Sequence, residues 1–292
     1  MKFRRTGKLS DDIEDRRGSP GRRGVAIGGG GLSIGAILFV LLTQVFGGGG
    51  GDLGTVLGEL AGPAAQPAEQ GEAIEAGGAA TSEQDEFISF VLDDVQDFWA
   101  EQFSTSGRSY ERARLVLYTS GTDTAGCGFG QAAFGPFYCP ADNRVYVDLT
   151  FFDQLASRFG APGDFAQAYV LAHEIAHHVQ NETGISAQVR SQQQADADRA
   201  NDLSVRLELQ ADCLSGVWAY SAFDADLLEE GDLEEGLQAA SAVGDDAIQS
   251  GSGAPVNPET WTHGSSEQRV SWFRRGFDTG DANACDTFSG DI

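Results

Sequence analysis

A mostly helical α+β domain over residues 83–292 is predicted by three observations. Long stretches of that region repeat apolar residues at helical spacing. Two short β-branched and aromatic runs, RLVLYTS and NRVYVDL, are bounded by glycine- and proline-marked turns. The residues before 83 hold few large apolar groups outside one uncharged run, so the core must come from residues 83–292. Helices enclosing a sheet of two to four strands give the class.

In chain order, DEFISFVLDDVQDFWAEQF places Phe87, Phe90, Val91, Val95, Phe98 and Trp99 at amphipathic spacing. The two strands come next, separated by CGFGQAAFGPFYCPAD, and then a short helix ending at Gly160. Residues 163–181 form a helix with Phe165, Ala168, Ala172, Ala176 and Val179 on one stripe, Asp164 as N-cap and Gly184 as stop. One long helix is expected over 187–223, with Leu203, Leu207, Ala211, Leu214 and Trp218 aligned. Further helices are expected over 233–249 and 266–277, the last with capping-box spacing at Ser265 and Gln268.

Charge is divided unevenly. Of 19 basic and 44 acidic residues, eight and four precede Val25, leaving 11 against 40 in the remainder. An acidic body repels phosphate backbones, which argues against nucleic-acid binding. Residues 25–46 carry no charge, and as a helix would measure about 33 Å against a hydrocarbon core of about 30 Å. With arginines only on the near flank, the positive-inside rule makes this a single-pass transmembrane helix. It puts residues 1–24 in the cytoplasm and the rest outside the cell membrane; a cleaved signal peptide is the competing reading. Residues 47–82, rich in glycine, alanine, proline and glutamate, read as a flexible linker.

Four cysteines suit a compartment that permits disulfides. Cys127 and Cys139 can close a short loop, and Cys213 and Cys285 can tie a helix to the C-terminus; buried thiols are the alternative. No C-x-x-C spacing suggests a cysteine metal site.

The chemistry concentrates in VLAHEIAHHVQNETG. His173 and His177, four apart on a helix, present two imidazoles to one ion. Glu174, about 100° round the helix, stands near that ion, placed to accept a proton from water and pass it on. His178 points about 100° from His177 and is read as a surface or supporting residue. A catalytic zinc site usually takes three protein ligands. Glu208, with Asp212 four residues on to hold a histidine N–H, is one candidate for the third. Glu182, Asp196 and Asp198 stand beside it as alternatives.

HEIAHHVQ followed by ELQADCLSGVWA resembles the gluzincin arrangement, H-E-x-x-H with a later E-x-x-x-D. With FGPFYCPADNRVYVDLTFFDQL and HGSSEQRVSWFRRGF, the likeness extends to the bacterial family of putative neutral zinc metallopeptidases, over most of residues 83–288 and the arginine-rich start. The resemblance implies a membrane-anchored, zincin-like metallopeptidase domain using Zn2+ and a peptide or protein substrate. It implies His173, His177 and Glu208 as ligands, Asp212 behind them and Glu174 as general base. THGSSEQR is also similar to the T-H-P-x-x-x-x-R segment of membrane-embedded gluzincin proteases, with Gly264 in place of proline. That likeness implies His263 and Arg269 as oxyanion-stabilising catalytic residues; pairing of Arg269 with a nearby acid and a capping role for His263 are the competing readings. Zincin folds receive substrate along an edge strand, for which NRVYVDL is the candidate, with an internal strand as the alternative reading. The rival is a non-catalytic, zinc-stabilised extracytoplasmic binding or scaffold protein.

Overall fold

Ser82 opens the first helix, α1 (Glu83–Thr105), by accepting a hydrogen bond from the Asp85 amide, and Glu83, Asp85 and Glu86 crowd its positive end. The computed structural model describes residues 1–18, 80 and 82–292. The apolar run 25–46 and nearly all of the expected linker lie outside the described residues. Among the described residues no helix is long and apolar enough to cross a membrane.

The folded unit does not begin at residue 83. Residues 13–15 form β1 (Ile13–Asp15), which lies parallel to β2 (Arg114–Leu117) with Ile13 opposite Leu115. Ile13 is completely buried, and Met1 and Leu9 join the same core. The composition of the first 24 residues concealed this, because one apolar residue per few charged ones suffices for a three-residue strand.

A hairpin comes next, of β3 (Gly121–Asp123) and β4 (Phe129–Gln131), then β5 (Phe137–Cys139) and β6 (Arg144–Val147). The main sheet runs β1-β2-β6-β5, parallel except for the antiparallel pair of β5 and β6. The NRVYVDL strand is therefore internal, as the alternative reading had it, and the two edges are β1 and β5. Both expected disulfides are present: Cys127–Cys139 pins the end of β5, and Cys213–Cys285 spans 72 residues to hold the C-terminal segment.

Helix α2 (Thr150–Ser157) leads into α3 (Asp164–Glu182). Gly163, not Asp164, is the cap of α3. Asp164 is its first helical residue, and its carboxylate faces the Met1 amino group at 2.8 Å. Gly184 ends the α3 region at φ 81°, as expected of a left-handed stop. The expected helix over 187–223 is two, α4 (Ile185–Ala195) and α5 (Ala200–Asp224), because Asp196 is extended. Likewise α6 (Asp232–Ala242) and α7 (Asp245–Gly251) are separated at Gly244. Neither break shows in the periodicity, because an apolar stripe can continue across a kink. The last helix, α8 (Ser266–Thr279), has the full capping box of Ser265 and Gln268.

Two glycines set the distance between α5 and α8. A Cβ on Gly216 would collide with the Phe273 carbonyl, and one on Gly276 with the Cys213 carbonyl. Without side chains at these points the backbones touch. This contact carries Asp212 on α5 and Arg269 on α8 into range of each other. Helix α3, packed against α1, α5 and α6, forms the centre of the molecule.

Candidate metal centre

One turn of α3 brings the Nε2 atoms of His173 and His177 to 3.1 Å from each other. From α5, Glu208 places Oε2 3.2 Å from His173 Nε2 and Oε1 3.4 Å from His177 Nε2. Tetrahedral zinc with bonds of about 2.0–2.1 Å separates neighbouring ligand atoms by about 3.3 Å, so the triangle fits. Three electron-pair donors converge on one point. A single proton can bridge one pair of them, whereas a cation satisfies all three. The remaining direction opens into a cleft of about 190 Å³.

The other nitrogen of each imidazole is also engaged. His173 Nδ1 lies 2.9 Å from Asp212 Oδ1, and His177 Nδ1 lies 2.8 Å from Gln180 Oε1. Both partners accept, so each Nδ1 carries the proton and each Nε2 lone pair faces the centre. Gln180 is held in turn, its amide donating to the Leu207 carbonyl at 2.7 Å. Its role was legible in principle as the residue three after His177.

Asp212 is fully buried and receives Arg269 Nε at 2.7 Å, Arg269 Nη2 at 2.9 Å and the Tyr169 hydroxyl at 2.5 Å. Burial alone would raise its pKa, but Arg269 and His173 hold the carboxyl below its ordinary value. His173 shows the opposite balance: burial opposes its charging, yet Asp212 and Glu208 push it up to about 9. The centre is thus strongly attractive to positive charge. Tyr169 gave no signal in the sequence because, on an apolar helix, it is indistinguishable from core.

Arg269 borders the cleft, with its guanidinium turned into a buried network. It is 3% exposed and grips Asp212, the Val243 carbonyl and Tyr169. The pairing with a nearby acid is present: that acid is Asp212, which also holds His173. His178 is also placed differently from a surface residue. It is buried, with Nδ1 3.0 Å from the Tyr138 hydroxyl and Nε2 2.5 Å from the Glu111 carbonyl. It anchors β5 and takes no part in the triangle.

Glu174 lines the cleft with His173 and His177. Burial raises its carboxyl pKa, opposed by the two histidines and by a hydrogen bond from the Tyr138 backbone. A raised carboxylate beside a metal position suits proton transfer in both directions.

His263 lines the same cleft, its Nδ1 3.1 Å from Asp245 Oδ1. Burial opposes its charging, but the hydrogen bond to Asp245 raises its pKa overall. Asp245 Oδ2 also accepts the amides of Thr262, His263 and Gly264. Gly264 has φ +87° and donates its N–H, which explains why proline cannot occupy this position. Asp245, 18 residues from His263 and at the start of α7, had no local signal.

Phe134, Phe137, Phe151, Phe159, Val243 and Ile248 wall the cleft, with β5 along one side. The other expected candidates, Glu182, Asp196 and Asp198, take no part in the triangle. A second acidic group, Asp164, Asp232 and Glu235, is engaged by the Met1 amino group and the Phe165 amide.

The chain is 46% identical over 288 residues to the uncharacterized protein YpfJ of Escherichia coli (strain K12), covering 97% of each chain. It is 47% identical over 191 residues to the uncharacterized protein Rv2575 of Mycobacterium tuberculosis (strain H37Rv), covering 62% of this chain and 64% of that one. No solved structure matches. The profile of one family, described as putative neutral zinc metallopeptidase, matches residues 1–288, and the chain belongs to that family.

Proposed function

We propose that this chain is a zinc-dependent peptidase that hydrolyses peptide bonds within the cleft beside α3. The observation that carries the reading is the triangle of His173, His177 and Glu208 with its open fourth side, next to Glu174. A zinc ion held there supplies a Lewis acid that makes water a nucleophile at neutral pH and polarises a carbonyl.

Glu174 takes the proton from the attacking water and delivers it to the departing amine. His263, charged and oriented by Asp245, donates to the oxygen on which negative charge develops. Asp212 and Gln180 fix the two imidazoles, and Arg269 keeps Asp212 ionised. The substrate backbone lies extended along the free edge of β5, and the aromatic wall accepts a bulky apolar side chain.

The rival reading is a zinc-stabilised scaffold. Structural zinc sites usually close all four positions with protein ligands, and such a site needs no carboxylate like Glu174. The decisive comparison is wild type against Glu174→Gln on an unbiased peptide library, with zinc measured in both. Retained zinc with cleavage reduced at least a hundredfold supports the peptidase. Indistinguishable behaviour of the two proteins favours the scaffold.

A further inference from the structure

We infer that residues 1–17 and the domain beginning at Glu83 occupy the same side of any membrane the chain meets.

The inference rests on how the N-terminal arm is built into the domain. Leu115 N–H donates to the Asp12 carbonyl at 2.9 Å, and Arg16 N–H donates to the Leu117 carbonyl at 2.8 Å, so β1 completes one side of the sheet. Ile13 sits in the core between sheet and helices with no exposed surface. Paired strands lie about 4.8 Å apart, and a hydrocarbon core is about 30 Å thick. No strand pairing or shared core can be made through a bilayer.

The arm's charges are spent on the same contact. Arg17 bridges Asp15 at 2.6 Å and the buried Asp85 at 2.7 Å. Arg16 pairs with Glu14 and donates to Thr122, Arg5 meets Glu83, and Lys2 meets Asp226. In the reverse direction, Arg112 of the domain holds Asp12 of the arm at 2.5 Å, and Ser10 donates to Asp93 at 2.6 Å. Lys2, Arg5 and Arg17 of the basic head thus pair with acids of the domain. The Ala80 amide donates to the Gly7 carbonyl at 3.3 Å, so the chain leaves from and returns to one face of the domain.

The test uses the full chain expressed in cells. All four native cysteines are in disulfides, so single added thiols report cleanly. Thr6→Cys on the arm and Glu230→Cys on the domain are both exposed positions outside the metal centre. Each variant is labelled with a membrane-impermeant maleimide in intact spheroplasts, and again after detergent. The inference expects the two thiols to behave alike, both labelled before detergent or both only after it. Labelling of one with at least tenfold protection of the other would overturn it and restore the single span.

Discussion

Asp212 stands 2.9 Å from Nδ1 of His173 and 2.7 Å from Nε of Arg269, so one buried carboxylate joins a histidine of the triangle to a guanidinium. Its loss has two separable effects. Asp212→Asn removes the charge that orients His173, and zinc binding should weaken about 10–100-fold. It also leaves Arg269 buried without its counter-ion, which costs on the order of 3–5 kcal/mol. Competitive zinc titration and urea unfolding measure the two separately. Unchanged zinc affinity would refute the role given to Asp212.

His263 and Asp245 test the electrophilic side of the cleft. Neither belongs to the triangle, so zinc content should be normal in His263→Ala. Its turnover should fall about 10²–10³-fold with little change in KM, as for removal of one oxyanion donor. Asp245→Asn should move kcat in the same direction by less, because the imidazole remains but is less well held. Normal kcat in His263→Ala would take the residue out of the mechanism.

The convergence of His173 and His177 on α3 was legible because helical spacing converts sequence separation directly into shared direction. Glu208 needed a resemblance, since no local rule brings α5 to α3. Asp245, Tyr169 and the true place of Arg269 depend on helices converging from distant parts of the chain. The edge strand was misassigned because periodicity finds strands but does not order them. The arm was missed because residues 1–24 were weighed by charge, while three strand residues and their ion pairs are what join it to the sheet.

The α5–α8 contact predicts that a single methyl group damages the centre from a distance. In Gly276→Ala the new Cβ would meet the Cys213 carbonyl, a backbone atom that a rotamer change cannot move. The helices must separate, at a cost of about 1–3 kcal/mol. Asp212 and Arg269 sit on the two sides of that seam, so zinc affinity should fall as well. Denaturant unfolding together with zinc titration checks this. A stable variant with wild-type affinity would show that the seam does not position Asp212.

Acidification tests the arm. Burial would raise the Asp15 pKa, but hydrogen bonds and charge from Arg17 lower it below the ordinary 3.8. A carboxylate with a depressed folded pKa contributes stability that is fully present above the unfolded value and is lost as pH falls through the folded one. The Arg17 pairing therefore holds at neutral pH and weakens below about pH 3.8. Asp15→Asn should lower the melting temperature at pH 6, in line with a loss of about 1 kcal/mol. That gap should narrow steadily between pH 4 and pH 2, because the wild-type carboxyl becomes neutral too. Differential scanning calorimetry of both proteins across this range reads the effect directly. A gap that stays constant to pH 2 would mean that Asp15 supports the strand by shape alone and that its charge does not hold the arm.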